Sequence, residues 1–85
     1  MPQFRLSPDV LYRDLEGQAV ILDLSSGLYF GLNEVGTRIW TLIGEGRSVA
    51  DIVQILSHEY EADASNLERD VRELANALLS RNLIS

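Results

Sequence analysis

Residues Val20–Trp40 read VILDLSSGLYFGLNEVGTRIW, and this stretch decides the fold of the 85-residue chain. Apolar residues alternate over Ala19–Leu24 and again over Leu28–Leu32, which predicts two short strands. Between them, Ser25-Ser26-Gly27 has the length and the glycine of a three-residue hairpin loop. Asn33 is a typical helix N-cap, so we expect the second strand of this hairpin to run directly into an amphipathic helix.

A further strand precedes the hairpin. Val10–Leu15 is rich in Val, Leu and Tyr, and the short turn Glu16-Gly17 joins it to the next strand, which predicts an antiparallel meander of three strands. In the middle strand Asp23 points to one face. The other face is wholly apolar and consists of Val20, Leu22 and Leu24. Residues 1–9 contain two prolines and are expected to form an extended N-terminal segment.

Three helices are expected after the sheet. Ser48 opens a capping-box pattern for the second helix. Ser65 opens another for the third helix, although Asp63 can cap that helix instead, and Leu83-Ile84 beyond it is expected to fold back on the core. Strands followed by helices are typical of α+β folds. We therefore expect a single domain over residues 1–85, with a three-stranded antiparallel sheet followed by three helices.

Composition excludes several classes of protein. The net charge is −6 and all seven basic residues are arginine, which disfavours binding to nucleic acid or to an anionic membrane surface. The absence of cysteine excludes disulfides and thiolate metal sites. No apolar run approaches the roughly 20 residues that cross a bilayer, and the first residues lack the pattern of a signal peptide. We expect a cytoplasmic protein.

Candidates for catalysis or metal binding are few. His58 is the only histidine, and with Glu59 and Glu61 as its neighbours it makes a poor metal site. Ser25 and Ser26 have no general base near them in the sequence, and the glycines do not form a phosphate-binding loop. We therefore expect no catalytic residue, no metal and no cofactor, and we do not expect an enzyme.

The third strand, Leu28–Leu32, carries no charge and no proline. In a meander this strand lies at an edge of the sheet, where its outward backbone groups need a partner or water. An extended peptide can add to such an edge as a further strand, and Gly31 would let the partner's backbone come close. Two alternatives are that residues 1–9 cover the edge or that a second subunit does.

The third helix offers a second surface. Its apolar stripe includes Leu67, Val71, Leu74 and Leu78. Beside this stripe Asp70, Ala77 and Arg81 lie at the boundary between core and solvent, where a small residue between opposite charges can border a groove. In the first helix, Gly36 costs stability relative to alanine, and we expect another backbone, that of the sheet, to approach it closely.

Together these features resemble the PqqD-like family of RiPP recognition elements, small domains that bind the leader of a ribosomally made precursor peptide. The matching segments are LDLSSGLYFGLNEVGTRIW at 22–40, SVADIV at 48–53 and DVRELANALLSRNLI at 70–84. The segment YFGLN at 29–33, in a free-standing chain of this length, is most similar to the recognition proteins of lasso-peptide pathways. The family member of the pyrroloquinoline quinone pathway is the second most similar type.

The resemblance implies a winged helix-turn-helix-like fold in which the leader pairs with the third strand and lies in a groove against the third helix. It also implies that the domain catalyses nothing and delivers the leader to a separate leader peptidase and then to a cyclase. The residues implied to contact the peptide are Leu28, Tyr29, Phe30, Gly31 and Leu32 of the strand and Leu67, Asp70, Val71, Leu74 and Ala77 of the helix.

Three alternatives remain open at this point. The chain can be a chaperone of the pyrroloquinoline quinone type. It can be a winged-helix DNA binder, which the acidic charge disfavours. It can also be a module that self-associates through the edge of the third strand, so that we expect a monomer or a weak homodimer.

Overall fold

The computed structural model describes residues 4–85, which form three strands followed by three helices. The strands are β1 (Val10–Leu15), β2 (Gln18–Asp23) and β3 (Tyr29–Gly31), and the helices are α1 (Glu34–Gly44), α2 (Val49–Tyr60) and α3 (Ala64–Ser80). The sheet has the order β1-β2-β3 with both pairs antiparallel. The predicted α+β fold is confirmed. The first three residues of the predicted extended segment lie outside the described residues.

The hairpin loop between β2 and β3 is organised by the carboxylate of Asp23. This carboxylate accepts hydrogen bonds from the backbone N–H of Ser25 at 3.1 Å and from the hydroxyls of Ser25 and Ser26, each at 2.8 Å. Gly27 has a φ of 75°, the left-handed conformation expected for it, and its N–H donates to the carbonyl of Asp23 at 2.7 Å. The loop therefore closes through its own polar side chains.

Asp23 should make the stability of the protein depend on acidic pH. The side-chain hydrogen bond from Ser25, followed by that from Ser26, lowers the pKa of Asp23 below its ordinary value of 3.8. A lowered folded-state pKa stabilises the protein above the unfolded value, and this contribution disappears as the pH falls through the folded value. In urea denaturation, Asp23→Asn should flatten the fall in unfolding free energy below about pH 4. An unchanged pH slope in this variant would show that the loop does not contribute to acid sensitivity.

The core lies on the face of β2 that carries Asp23. Ala19 and Ile21 are buried against the helices and Asp23 is buried at the loop, whereas Val20 and Leu22 of the opposite face are only partly covered. The wholly apolar face noted in the sequence is thus the outer face of the sheet. Its exposed or half-buried apolar side chains are Leu11, Leu15, Val20, Leu22 and Tyr29.

All three helices are capped by side chains, as the sequence predicts. Asn33 accepts from the N–H of Gly36 at 2.8 Å and Ser48 from that of Asp51 at 3.1 Å. Asp63 caps α3, accepting from the N–H of Ser65 at 2.9 Å, so the alternative cap is the one used. The buried side chains that the helices share with β2 and the C-terminus are Ile21, Ile39, Trp40, Leu42, Ile43, Ile52, Leu56, Leu67, Val71, Ala75, Leu78, Leu83 and Ile84.

The two ends of the described chain pair with each other. Arg5 and Ser85 exchange backbone hydrogen bonds, both at 2.9 Å, and the N–H of Ser7 donates to Leu83 at 3.0 Å. Leu83 and Ile84 are buried, which confirms that this segment folds back on the core. The described part of the N-terminal segment is therefore engaged with the C-terminus, and β3 is not its partner.

Candidate functional site

Strand β3 lies at an edge of the sheet, as predicted, although it is shorter than predicted. Among residues 4–85, it pairs only with β2, with Val20 opposite Gly31 and Leu22 opposite Tyr29. Its other side has no strand partner within the described part of the chain. The edge is therefore a row of backbone groups able to bind a further strand.

The phase of the backbone at this edge follows from two hydrogen bonds. The N–H of Leu32 donates to Ala19 at 2.8 Å, and the N–H of Asp23 donates to Leu28 at 2.9 Å. Hydrogen-bonded and non-bonded positions alternate along an antiparallel pair. Residues 28, 30 and 32 thus direct their backbone groups to β2. The N–H and C=O groups of Tyr29 and Gly31 point away from the sheet, at the open edge.

Thr37 joins the sheet to α1 where β3 ends. Its buried hydroxyl accepts the N–H of Ala19 at 2.7 Å and lies 3.5 Å from the carbonyl oxygen of Leu32. The hydroxyl therefore replaces one backbone hydrogen bond of the antiparallel pair, the one that the N–H of Ala19 would otherwise donate to the carbonyl of Leu32. This contact fixes the angle at which the strand turns into the helix, and hence the shape of the surface between them.

Replacing Thr37 with valine should destabilise the protein by about 1–3 kcal/mol, because the N–H of Ala19 would be buried without an acceptor. Thr37→Ser keeps the hydroxyl and serves as the control, with a smaller loss expected. Chemical denaturation followed by circular dichroism measures both. Equal losses in the two variants would mean that packing of the methyl group, and not the hydrogen bond, is what matters at this position.

Gly36 lies in the first turn of α1, and the expected close approach of a sheet backbone is not found there. A Cβ at this position would lie 3.2 Å from Oδ1 of Asn33 and 3.5 Å from Cβ of Leu32. Both neighbours are side chains of the strand-to-helix junction. The glycine therefore makes room for the helix cap and for Leu32, and the sequence interpretation was wrong about the partner.

A groove of about 480 Å³ runs between the end of β3, the start of α1 and one side of α3. Its surface is part polar and part apolar, and Asp70 is the one ionisable residue among the described residues that line it. The lining residues are Gly31, Leu32, Asn33, Val35, Gly36, Ile39, Asp70 and Leu74. The open edge of β3 is directly continuous with this groove through Gly31.

The structure places the ten predicted contact residues in three environments. Those that line the groove are Gly31, Leu32, Asp70 and Leu74. Those on the surface or partly covered next to it are Leu28, Tyr29, Phe30 and Ala77. Leu67 and Val71 are 6% and 0% exposed and belong to the core, so in this structure they support the α3 wall from beneath. Their contact with a peptide stays a prediction.

Sequence reasoning missed the contribution of α1 to the groove. Val35 and Ile39 form its wall opposite α3. These residues lie four apart in the apolar stripe of α1, immediately after Asn33, so the direct passage from strand to helix was the available signal.

Arg81 borders the same region just beyond the end of α3. The central carbon of its guanidinium lies 4.8 Å from the centre of the Phe30 ring. Such a stack fixes the position of the cation and leaves its edge donors available. Asp70 thus belongs to the lining of the groove, whereas Arg81 lies outside that lining, at the Phe30 end of β3.

Within residues 4–85, no cluster of His, Asp and Glu side chains is suited to hold a metal ion. In the same range, no helix has both the length and the apolar character needed to cross a bilayer. The site consists of a strand edge and an adjoining groove.

Two solved structures match the whole architecture. One is TbiB1 in complex with the TbiA(beta) leader peptide, 37% identical, with a TM-score of 0.90 over 95% of this chain and 94% of that chain. The other is a lasso peptide synthetase B1 complexed with the leader peptide, 32% identical, with a TM-score of 0.91 over 99% of both chains. No curated protein sequence is significantly similar to this chain.

The family model described as coenzyme PQQ synthesis protein D (PqqD) matches residues 18–84, which include β2, β3 and all three helices. This match covers well over half of the chain. The two solved structures share its arrangement of three strands and three helices. The chain belongs to the PqqD family.

Proposed function

We propose that this chain binds the leader region of a ribosomally made precursor peptide by adding it as a fourth strand to β3. The observation that carries the proposal is the edge at Tyr29 and Gly31, which has no strand partner within residues 4–85 and is continuous with a groove against α3. Backbone hydrogen bonds would supply affinity, and side chains entering the groove would supply selectivity. The contacts we propose are made by β3 and by Asp70, Leu74 and Ala77 of α3, together with Val35 of α1, while the buried Ile39 supports the groove from beneath.

The pathway we propose is that of a lasso peptide. Both similar structures contain a leader peptide, and one is a lasso peptide synthetase B1, which favours this pathway over that of the quinone cofactor after which the family is named. The domain itself performs no chemistry. It presents the precursor, in the cytoplasm where the peptide is made, to a separate leader peptidase and then to a cyclase.

Fluorescence anisotropy tests this function directly. One probe is the labelled leader of any precursor gene that genome inspection finds next to the gene for this chain, and the second probe is the TbiA(beta) leader. We expect saturable binding of the chain's own leader in the micromolar range or tighter, and none of a peptide with the same composition in scrambled order. No saturation with that leader at tens of micromolar would overturn the proposal.

A further inference from the structure

We propose that the groove selects its peptide by charge, with Asp70 receiving a basic side chain and Arg81 receiving an acidic one. This inference rests on the proposed function and specifies the class of peptide that the site accepts. Asp70 is the ionisable residue among the described residues that line the groove, and Arg81 stacks on Phe30, which precedes the lining residue Gly31 in β3.

At one end, the groove has the chemistry of a lysine or arginine subsite. Leu32, Val35 and Leu74 supply apolar walls, with Ile39 buried beneath them, and Asp70 is the single carboxylate among the described lining residues. A long basic side chain can lay its methylene groups against such walls while its charge reaches the carboxylate.

Asp70 is available for this role. Its side chain is 55% exposed, and the nearest cation among residues 4–85, Nε of Arg69, is 4.0 Å from Oδ1, which is too far for a hydrogen bond. No other ion pair engages Asp70 in that range. A peptide cation would therefore not have to displace a strong existing partner.

At the other end, Arg81 presents a positioned guanidinium. It stacks on Phe30, whose side chain lies on the inner face of β3, the face that borders the groove. Within residues 4–85, no carboxylate lies within ion-pair distance of Arg81. A stacked guanidinium keeps its donors in a plane and matches a carboxylate in a bidentate manner.

The spacing of the two peptide charges follows from strand geometry. Side chains alternate along a strand, so both charges must lie an even number of residues apart to face the groove together. Asp70 and Arg81 are separated by roughly 16 Å along the axis of α3, at about 1.5 Å per residue, and the long Arg81 side chain shortens this separation. At about 3.3 Å per peptide residue, four residues span about 13 Å, close to this separation, and two residues match the spacing of Phe30, beside Arg81, and Leu32, in the groove with Asp70.

The order of the charges follows from the direction of β3. Phe30, at the Arg81 end, precedes Leu32, at the Asp70 end. A peptide that continues the antiparallel pattern of this sheet passes Leu32 first. Its basic residue should therefore precede its acidic residue.

Selection from a displayed library of random 12-residue peptides tests this inference. Against the wild-type protein, we expect enrichment of a basic residue followed two or four positions later by an acidic one. Against Asp70→Lys, the basic position should become acidic. Glu68→Lys is the matched control, because Glu68 lies about 160° around α3 from Asp70, on the far side of the buried stripe. That variant should select the same peptides as the wild type.

A charge swap on one selected peptide completes the test. Changing its basic residue to glutamate should weaken binding to the wild type at least tenfold, and Asp70→Lys should restore most of the loss. Enriched peptides without this charge pattern, or absence of rescue, would overturn the inference alone. If no peptide binds the wild type better than it binds Gly31→Pro, the proposed function fails as well, so the two failures are distinguishable.

Discussion

Gly31→Pro is expected to weaken leader binding at least tenfold while leaving the protein folded. The N–H of Gly31 points to the open edge, as inferred from the bonds of Leu32 and Leu28 to β2, so proline removes a donor to the peptide and no bond within the sheet. A bound peptide would lose one hydrogen bond, leave a carbonyl without a partner and meet the proline ring, which costs about 1–3 kcal/mol or more. A tenfold loss corresponds to about 1.4 kcal/mol.

The fold should tolerate this change. Proline is compatible with an edge strand whose N–H faces outward, and the extended conformation it demands of Phe30 is already present in β3. We expect thermal unfolding to show a destabilisation of no more than about 1 kcal/mol, since the main cost is a shift of one φ angle.

Gly31→Ala is the control for binding. It keeps the N–H, and no atom lies within 4 Å of the added Cβ, which points to the outer face of the sheet. Affinity measured by anisotropy should stay within a few-fold of the wild type. Equal affinity of the proline variant and the wild type would rule out strand addition at this edge.

Local chemistry explains why much of the fold was predictable. The loop at Gly27 and the caps at Asn33 and Ser48 depend on residues within four positions of one another, and all three are found where the sequence predicts them. The two candidate N-caps of α3, Asp63 and Ser65, are only two residues apart, and the capping-box pattern alone did not decide between them.

The orientation of the sheet was not evident from pattern, because both faces of β2 are largely apolar. Ala19 and Ile21 lie on one face, and Val20 and Leu22 on the other. The face with a carboxylate is the buried one because Ser25 and Ser26 satisfy the oxygens of Asp23 within the loop. Alternation identifies two faces, but their burial depends on where the helices pack.

The groove was only half predictable for a similar reason. The strand edge follows from topology, and helical periodicity placed Asp70 at the boundary of the apolar stripe that contains Leu74, whereas the groove contact of both came from the family resemblance. The rotation of α3 about its axis, which buries Val71, and the turn into α1, which brings Val35 to the groove, are set by packing across the core. Such contacts join distant parts of the chain and leave no local signal.

Leu83→Ala should be strongly destabilising. Leu83 is 0% exposed, its N–H bonds to the end of α3 at Leu78, and its carbonyl accepts from Ser7. Truncating a buried leucine costs about 2–5 kcal/mol. Single domains have about 5–15 kcal/mol of stability in total, so this loss is a large fraction of it and should lower the midpoint of urea unfolding markedly. Urea denaturation followed by circular dichroism measures the loss.

Leu15→Ala provides the matched control, because it removes the same atoms from a side chain that is 53% exposed on the outer face of the sheet. We expect a loss below about 1 kcal/mol for it. Similar losses in the two variants would show that the C-terminal segment is not part of the cooperative core.

Because a ligand that binds only the folded state stabilises it by mass action, saturating leader should also shift the unfolding midpoint of Leu83→Ala upward.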